Sequence, residues 1–164
     1  MPEFSYRKAS EEDLERIWAK EIAEHPDDER FLKSRDIYTS LNRSGRAVTF
    51  VVAADGDPVG QGTLLLSPDC PAVNGRLTLA DNISVGNINA LYIDREYRGE
   101  GHISALIRRI EMHARSLRLH ALTIGVEADK PRNISIYFHW GYNTYTAYEE
   151  KDGVPLIYYR KQLD

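Results

Sequence analysis

The sequence predicts an α/β domain: a mixed sheet of about seven strands flanked by about four helices. Three observations carry that reading. The stretch from Ile88 to Leu117 runs as strand, glycine-containing loop and amphipathic helix. A further strand at His120–Val126 follows that helix, which makes the set a right-handed parallel crossover. Around it lie strand pairs joined by the turn signals Asp55-Gly56-Asp57-Pro58 and Lys151-Asp152-Gly153, which demand antiparallel neighbours. A chain of 164 residues suits one core, so residues 1–164 are read as a single domain.

Each element has a local reason. Phe4 to Ala9 alternates aromatic and polar residues, as a first strand would. Ser10 is a helix N-cap, and Glu11, Glu12 and Asp13 suit the first turn. Leu14, Ile17, Trp18 and Ile22 make that helix's buried stripe, and His25-Pro26-Asp27-Asp28 stops it. A second helix covers about Glu29–Asn42, with Phe31, Ile37, Tyr38 and Leu41 as its apolar residues. Trp18, Phe31 and Tyr38 are either pocket lining or ordinary core aromatics. Arg46–Ala54 and Val59–Leu66 are the strands of the first hairpin.

Ser67–Gly86 is broken by Pro68, Pro71, Asn74-Gly75 and Asp81-Asn82. Arg76-Leu77-Thr78-Leu79 allows a short strand within it. A stretch this long either shapes a binding site or is a surface insertion. Asn89–Ile93 is the apolar strand that follows. After the loop, Ile103, Leu106, Ile107, Ile110, Ala114 and Leu117 fall on one helical face, with Arg108, Arg109, Glu111 and Arg115 on the other. Pro131 suits the first turn of a short helix, Asn133–Trp140, with Gly141 at its C-terminal end. Asn143–Glu149 and Pro155–Lys161 close the sheet as a hairpin.

Composition narrows the function. Hydrophobic residues are 42% and charged residues 28%, ordinary for a soluble domain. A net charge of −4 argues against a nucleic-acid partner. The single cysteine, Cys70, leaves no internal disulfide, and no Cys/His spacing suits zinc, so no metal is expected. Met-Pro-Glu-Phe-Ser-Tyr-Arg has no apolar leader core, and no run reaches the ~20 residues that span a bilayer. The expectation is a cytoplasmic protein without a membrane partner.

Gly99 and Gly101 stand where a strand passes into a helix N-terminus. Free backbone N–H groups and the positive end of the helix dipole make that place suited to phosphate. Arg98-Gly99-Glu100-Gly101-His102-Ile103 resembles the Arg/Gln-x-x-Gly-x-Gly/Ala signature of the GNAT superfamily of N-acetyltransferases. Ile103 stands where that signature has Gly or Ala. The resemblance implies that Arg98, Gly99, Glu100, Gly101, His102, Ile103 and Ser104 surround the pyrophosphate of acetyl-CoA, the co-substrate. It also implies that Leu91, Tyr92 and Ile93 pair with the pantetheine arm through their backbone. The His102 side chain is expected to face solvent.

Asp129–Tyr142 resembles the family's second signature when anchored on Tyr137 and Gly141-Tyr142. The family's Asn then falls on Lys130 and its Ala on Asn133. Lys130 is a candidate for a CoA phosphate. The resemblance makes Tyr137 the proton donor to the departing thiolate, a role that a phenol of pKa ~10 can fill at neutral pH. Where many relatives have a basic glutamate near the cofactor strand, this chain has Asn87 and Asn89, neither of which is a base. Glu127, Asp81, His139 or a water chain remain as candidates.

The reading is an acetyl-CoA-dependent N-acetyltransferase of GNAT-like fold. It would move an acetyl group to a primary amine of a small molecule or peptide, by direct transfer in a ternary complex. Family habit allows a homodimer. One alternative is a GNAT-fold module that binds acyl-CoA without turnover. The other is a dinucleotide-binding protein, since Gly99-x-Gly101-x-x-Ser104 approximates G-x-G-x-x-G. Against the latter, Ser104 replaces the third glycine and no acidic residue ends a strand ~20 residues on.

Overall fold

The computed structural model describes residues 1–164, with seven strands, four α-helices and one short 3₁₀ turn. The strands are β1 (Phe4–Lys8), β2 (Ala47–Ala54), β3 (Asp57–Leu65), β4 (Val85–Ile93), β5 (Ala121–Glu127), β6 (Thr144–Lys151) and β7 (Val154–Gln162). The helices are α1 (Glu11–Glu24), α2 (Arg30–Ser44), α3 (His102–Ser116) and α4 (Pro131–His139), and the 3₁₀ turn is Arg95–Tyr97. One seven-stranded sheet runs in the order β1-β2-β3-β4-β5-β7-β6. β4 and β5 pair in parallel from Val85↔Ala121 to Ile88↔Ile124. β5 with β7, β6 with β7 and β1 with β2 are antiparallel. The sheet is therefore mixed, as the crossover and the two hairpin signals predict.

The chain divides into two compact units. One holds Met1–Leu64 and Ala90–Ile110, the other Leu65–Asn89 and Glu111–Asp164. In the first, α1 opens on a reciprocal cap. The Ser10 hydroxyl accepts from the Asp13 N–H, and the Asp13 carboxylate accepts from the Ser10 N–H. Leu14, Ile17 and Trp18 are buried. Alternation along β3 then decides what meets what. A Cβ on Gly60 would lie 2.8 Å from the Tyr92 carbonyl oxygen, and one on Gly62 would lie 2.9 Å from Leu91 and 3.2 Å from Ile110. Glycine at these two places lets β3 lie against β4 and α3. Gln61, between them, projects to the opposite face and meets α1.

In the second unit, Leu122, Ile124, Val126 and Tyr142 are buried together with Leu163. The segment after β3 contains turns, and Arg76–Leu79 is not a strand. Asn74 and Gly75 both take left-handed φ, 52° and 75°, and the Leu79 N–H folds back to the Arg76 carbonyl at 2.9 Å. Those turns cannot present a ladder edge. The segment is nevertheless packed: Cys70, Val73, Leu79 and Ala80 are buried. Arg76 donates to the carbonyls of Val73 and Ala72 at 2.9 and 2.8 Å and lies 5.0 Å over the Tyr158 ring.

Candidate active site

In the first unit, β4 leads into the glycine loop. Ala90 has φ 54°, a left-handed conformation inside a strand, which costs a non-glycine residue ~1–2 kcal/mol. Such strain persists only where the surroundings impose it, and it gathers at functional sites. Beyond it, Tyr92 and Ile93 are buried and Leu91 is half-buried. Burial raises the Tyr92 pKa, and the carboxylates of Asp94 and Glu24 raise it further, so this phenol stays protonated.

The 3₁₀ turn Arg95–Tyr97 carries the chain out of the strand. Arg98 then reaches back: its Nε donates to the Ile93 carbonyl at 2.7 Å, and its guanidinium sits 3.7 Å from Glu24 and 5.8 Å from the Tyr92 ring centre. Its side chain clamps the loop to β4. Gly99 and Gly101 have φ 80° and 85°, and a Cβ on either would meet nothing within 4 Å. They are needed for backbone conformation, and the space beside them is open. The Ala105 N–H bonds to the Gly101 carbonyl at 3.1 Å as α3 begins. The N–H groups of the turn before it have no carbonyl one turn back, which is the arrangement that receives phosphate. Ile103 is half-buried and leaves this backbone in place. Ser104 accepts from Arg108 at 2.7 Å, which puts a guanidinium one turn into the helix. Glu100 is exposed.

His102 departs from expectation. Its side chain does not face solvent but is 5% exposed, with Nδ1 2.8 Å from the Tyr6 hydroxyl and Nε2 3.2 Å from the Glu100 carboxylate. The Phe4 ring lies 4.4 Å from it. β1 brings both aromatic residues from the far end of the chain, and nothing near His102 in sequence announces them. The ring anchors the start of α3, and a ligand there would meet the His102 backbone.

In the second unit, Tyr137 is half-buried on α4, 5.8 Å from the Trp140 ring. Burial raises its pKa, so the phenol holds its proton through neutral pH. Lys130 precedes α4 and pairs with Glu127 at 3.1 Å, and the Asn133 N–H donates to the Lys130 carbonyl at 3.1 Å. Asn87 donates to the Thr123 hydroxyl at 3.0 Å and ties β4 to β5. Of the candidate bases, Asp81 is committed. Partial burial opposes its charge, but the Ser84 hydroxyl and the N–H groups of Ser84, Val85 and Ile83 hold its carboxyl far below the usual range. Glu127 pairs with Lys130 at the surface, and His139 is exposed at the end of α4.

One further carboxylate, in the first unit, belongs to no sequence motif. Glu21 on α1 is 8% exposed, and Gln61 on β3 is fully buried and donates to it at 2.5 Å. Burial raises the Glu21 pKa to about 7. Gln61 pulls it down, while Glu24 and Asp94 push it up. Gln61 Oε1, Asp94 Oδ1 and Trp18 Nε1 are buried without partners. The signal was present: Glu21 continues the stripe Leu14-Ile17-Trp18 at helical spacing, a charge on the buried face.

The mixed sheet, the crossover through α3 and the open glycine loop at its N-terminus make an α/β domain with a loop suited to receive phosphate. The model of the acetyltransferase (GNAT) family matches residues 8–142, and the chain belongs to that family. It is an acetyltransferase, with acetyl-CoA as its co-substrate. No curated protein matches the sequence. Among solved structures, an N-acetyltransferase from Staphylococcus aureus Mu50 is 18% identical, covers 99% of both chains and superimposes with a TM-score of 0.74. The yncA protein of Salmonella typhimurium, solved with its cofactor acetyl-CoA, is 19% identical over 99% of this chain and 95% of that one, at a TM-score of 0.73. Ribosomal-protein-alanine N-acetyltransferase from Brucella melitensis is 19% identical over 97% and 99%, at 0.71. These likenesses establish the fold. No helix is long and apolar enough to cross a membrane.

Proposed function

We propose that this chain, acting as one domain in the cytoplasm, transfers the acetyl group of acetyl-CoA to a primary amine of a small molecule or peptide in a ternary complex. The carrying observation is the loop from Arg98 to Ser104. Its two left-handed glycines open onto free space, and its first-turn N–H groups point from α3. Backbone N–H groups of Gly101, His102, Ile103 and Ser104 would hold the pyrophosphate, while the Arg98 side chain and Glu100 keep the loop and His102 in place. Leu91, Tyr92 and Ile93 would present backbone groups to the pantetheine arm and to the thioester oxygen as it gains charge. Lys130 and Asn133 would meet the other parts of the coenzyme. Tyr137, kept protonated by burial, would donate its proton to the departing sulfur.

Thermal unfolding with acetyl-CoA, CoA, NAD and NADP tests the site. A ligand at about 100-fold its Kd adds ~2.7 kcal/mol, which at this size raises Tm by roughly 5–10 °C. Acetyl-CoA and CoA should shift it, and a shift with the dinucleotides alone would overturn the reading. CoA release with a panel of amines then reads turnover. Tyr137→Phe should lower kcat on the order of 100-fold while leaving the acetyl-CoA thermal shift intact. Binding without turnover of any amine would favour the module that holds acyl-CoA and transfers nothing.

A further inference from the structure

Glu21 is a carboxylate removed from water without the partners that usually accompany one. Buried carboxylates meet cations or several N–H donors, whereas Glu21 meets one neutral amide. The adjacent Lys20 is taken: its ammonium binds Asp57 and Asp94 at 3.0 Å each and the Pro58 carbonyl at 2.7 Å. The charges that act on Glu21, Glu24 and Asp94, are both negative. Two of the three buried atoms left open here, Gln61 Oε1 and Asp94 Oδ1, are acceptors, and the third is the Trp18 indole donor. Acceptors and negative charge together call for a positively charged donor. An alkylammonium is one, and an amine at neutral pH is in that form.

Position supports the same ligand. Leu91 and Ile93 of β4 meet Gly62 and Gly60 on one face of the sheet, while Gln61 and the Tyr92 side chain alternate to the other, where the carboxylates of Asp94 and Glu24 act on both Glu21 and Tyr92. Glu21 and Gln61 therefore stand beside the part of β4 assigned above to the thioester arm. The amide also serves both charge states of its partner. It donates from Nε2 to the carboxylate, and after a half-turn it accepts through Oε1 from the carboxylic acid.

We propose that Glu21 and Gln61 bind the acceptor's ammonium and that Glu21 takes the proton the nitrogen must lose before attack. This rests on the acetyl-transfer reading given above. The N–H electrons become the nitrogen lone pair, the N–C bond forms and the C–S bond breaks. Of the two protons the ammonium gives up, one is held by Glu21 and passed to water, and the other ends on the CoA thiol. A pKa of about 7 suits a base working at neutral pH.

Propylammonium chloride is a sufficient probe. Carbon NMR of the side-chain carboxyls, on protein saturated with CoA, follows Glu21, assigned by its loss in Glu21→Gln. Propylammonium should lower the Glu21 titration midpoint by about one pH unit relative to sodium chloride at equal ionic strength. In kinetics with propylamine, Glu21→Gln should lower kcat/KM on the order of 100-fold at neutral pH. That deficit should shrink as the pH nears the amine's own pKa of ~10, where free amine is supplied by solution. An unmoved midpoint, or a deficit that ignores pH, would overturn the proposal. Loss of the acetyl-CoA thermal shift, or no acetylation of any amine by the native protein, would instead strike the underlying reading, and the NMR titration reads the site in either case.

Discussion

Each unit buries one helical glutamate, and the two are treated in opposite ways. Glu111 on α3 is 6% exposed and Glu21 on α1 is 8% exposed. Glu111 receives the Lys161 ammonium at 3.0 and 3.2 Å and the Tyr142 hydroxyl at 2.7 Å, with Arg115 at 3.9 Å. Glu21 receives a single amide. Burial is equal and compensation is not. The first arrangement joins α3, β7 and the segment that follows α4 into one structural knot. The second keeps a carboxylate poised between charged and neutral forms. A buried charge is thus informative only once its partners are counted.

The largest effect expected from this contrast comes from removing the cation beside Glu111. Lys161→Met keeps the apolar stem beside Tyr142 but leaves the carboxylate with only the Tyr142 hydroxyl and Arg115 at 3.9 Å. It should cost ~3–5 kcal/mol of unfolding free energy near neutral pH. Urea unfolding reads the deficit. Adding Glu111→Gln should recover much of the loss. A Lys161→Met deficit below ~1 kcal/mol would make the pair ornamental and erase the contrast.

Glu21→Gln should go the other way, by somewhat less. The folded pKa of about 7 lies above the unfolded value, so the folded protein holds the proton between roughly pH 4.5 and 7 and loses stability as pH rises through that window. Above it the native protein carries an under-compensated charge that glutamine does not. The variant should be more stable near pH 8, by up to about 3 kcal/mol, and equal to the native protein near pH 4. A residue that lowers stability while present marks function rather than folding. Equal melting temperatures across that range would place Glu21 with Glu111 as a structural group.

The order of elements was legible because local rules decide them. The Ser10 cap, the Asp55-Gly56 turn, the helical period from Ile103 to Ala114 and Pro131 with Gly141 each act within one element. The Gly99 and Gly101 loop was legible for the same reason, since positive φ at a strand-to-helix passage narrows the choice of residue. What stayed hidden depends on distant partners. His102 is buried by Phe4 and Tyr6, and Gln61 meets Glu21 across forty residues. Arg76–Leu79 carries strand-forming side chains, but Asn74-Gly75 and the Arg76 side chain's hold on local carbonyls turn it instead. Sequence spacing shows which face a residue occupies and is silent about what waits opposite.

The smallest structural effect belongs to an exposed pair. Lys130 and Glu127 are 3.1 Å apart, with side chains 54% and 46% exposed, so water and salt already screen them. Lys130→Ala should change unfolding free energy by no more than ~0.5 kcal/mol. Its effect on coenzyme binding is the sharper reading. A lysine that meets a CoA phosphate contributes about 1 kcal/mol, roughly fivefold in Kd, and that contribution fades with added salt. Titrating CoA and dephospho-CoA into both proteins by calorimetry separates the outcomes. A loss seen with CoA and absent with dephospho-CoA places Lys130 at the 3′-phosphate. Equal losses with both place it at the pyrophosphate. Unchanged affinity at low salt would leave Lys130 as the residue that precedes α4 and pairs with Glu127.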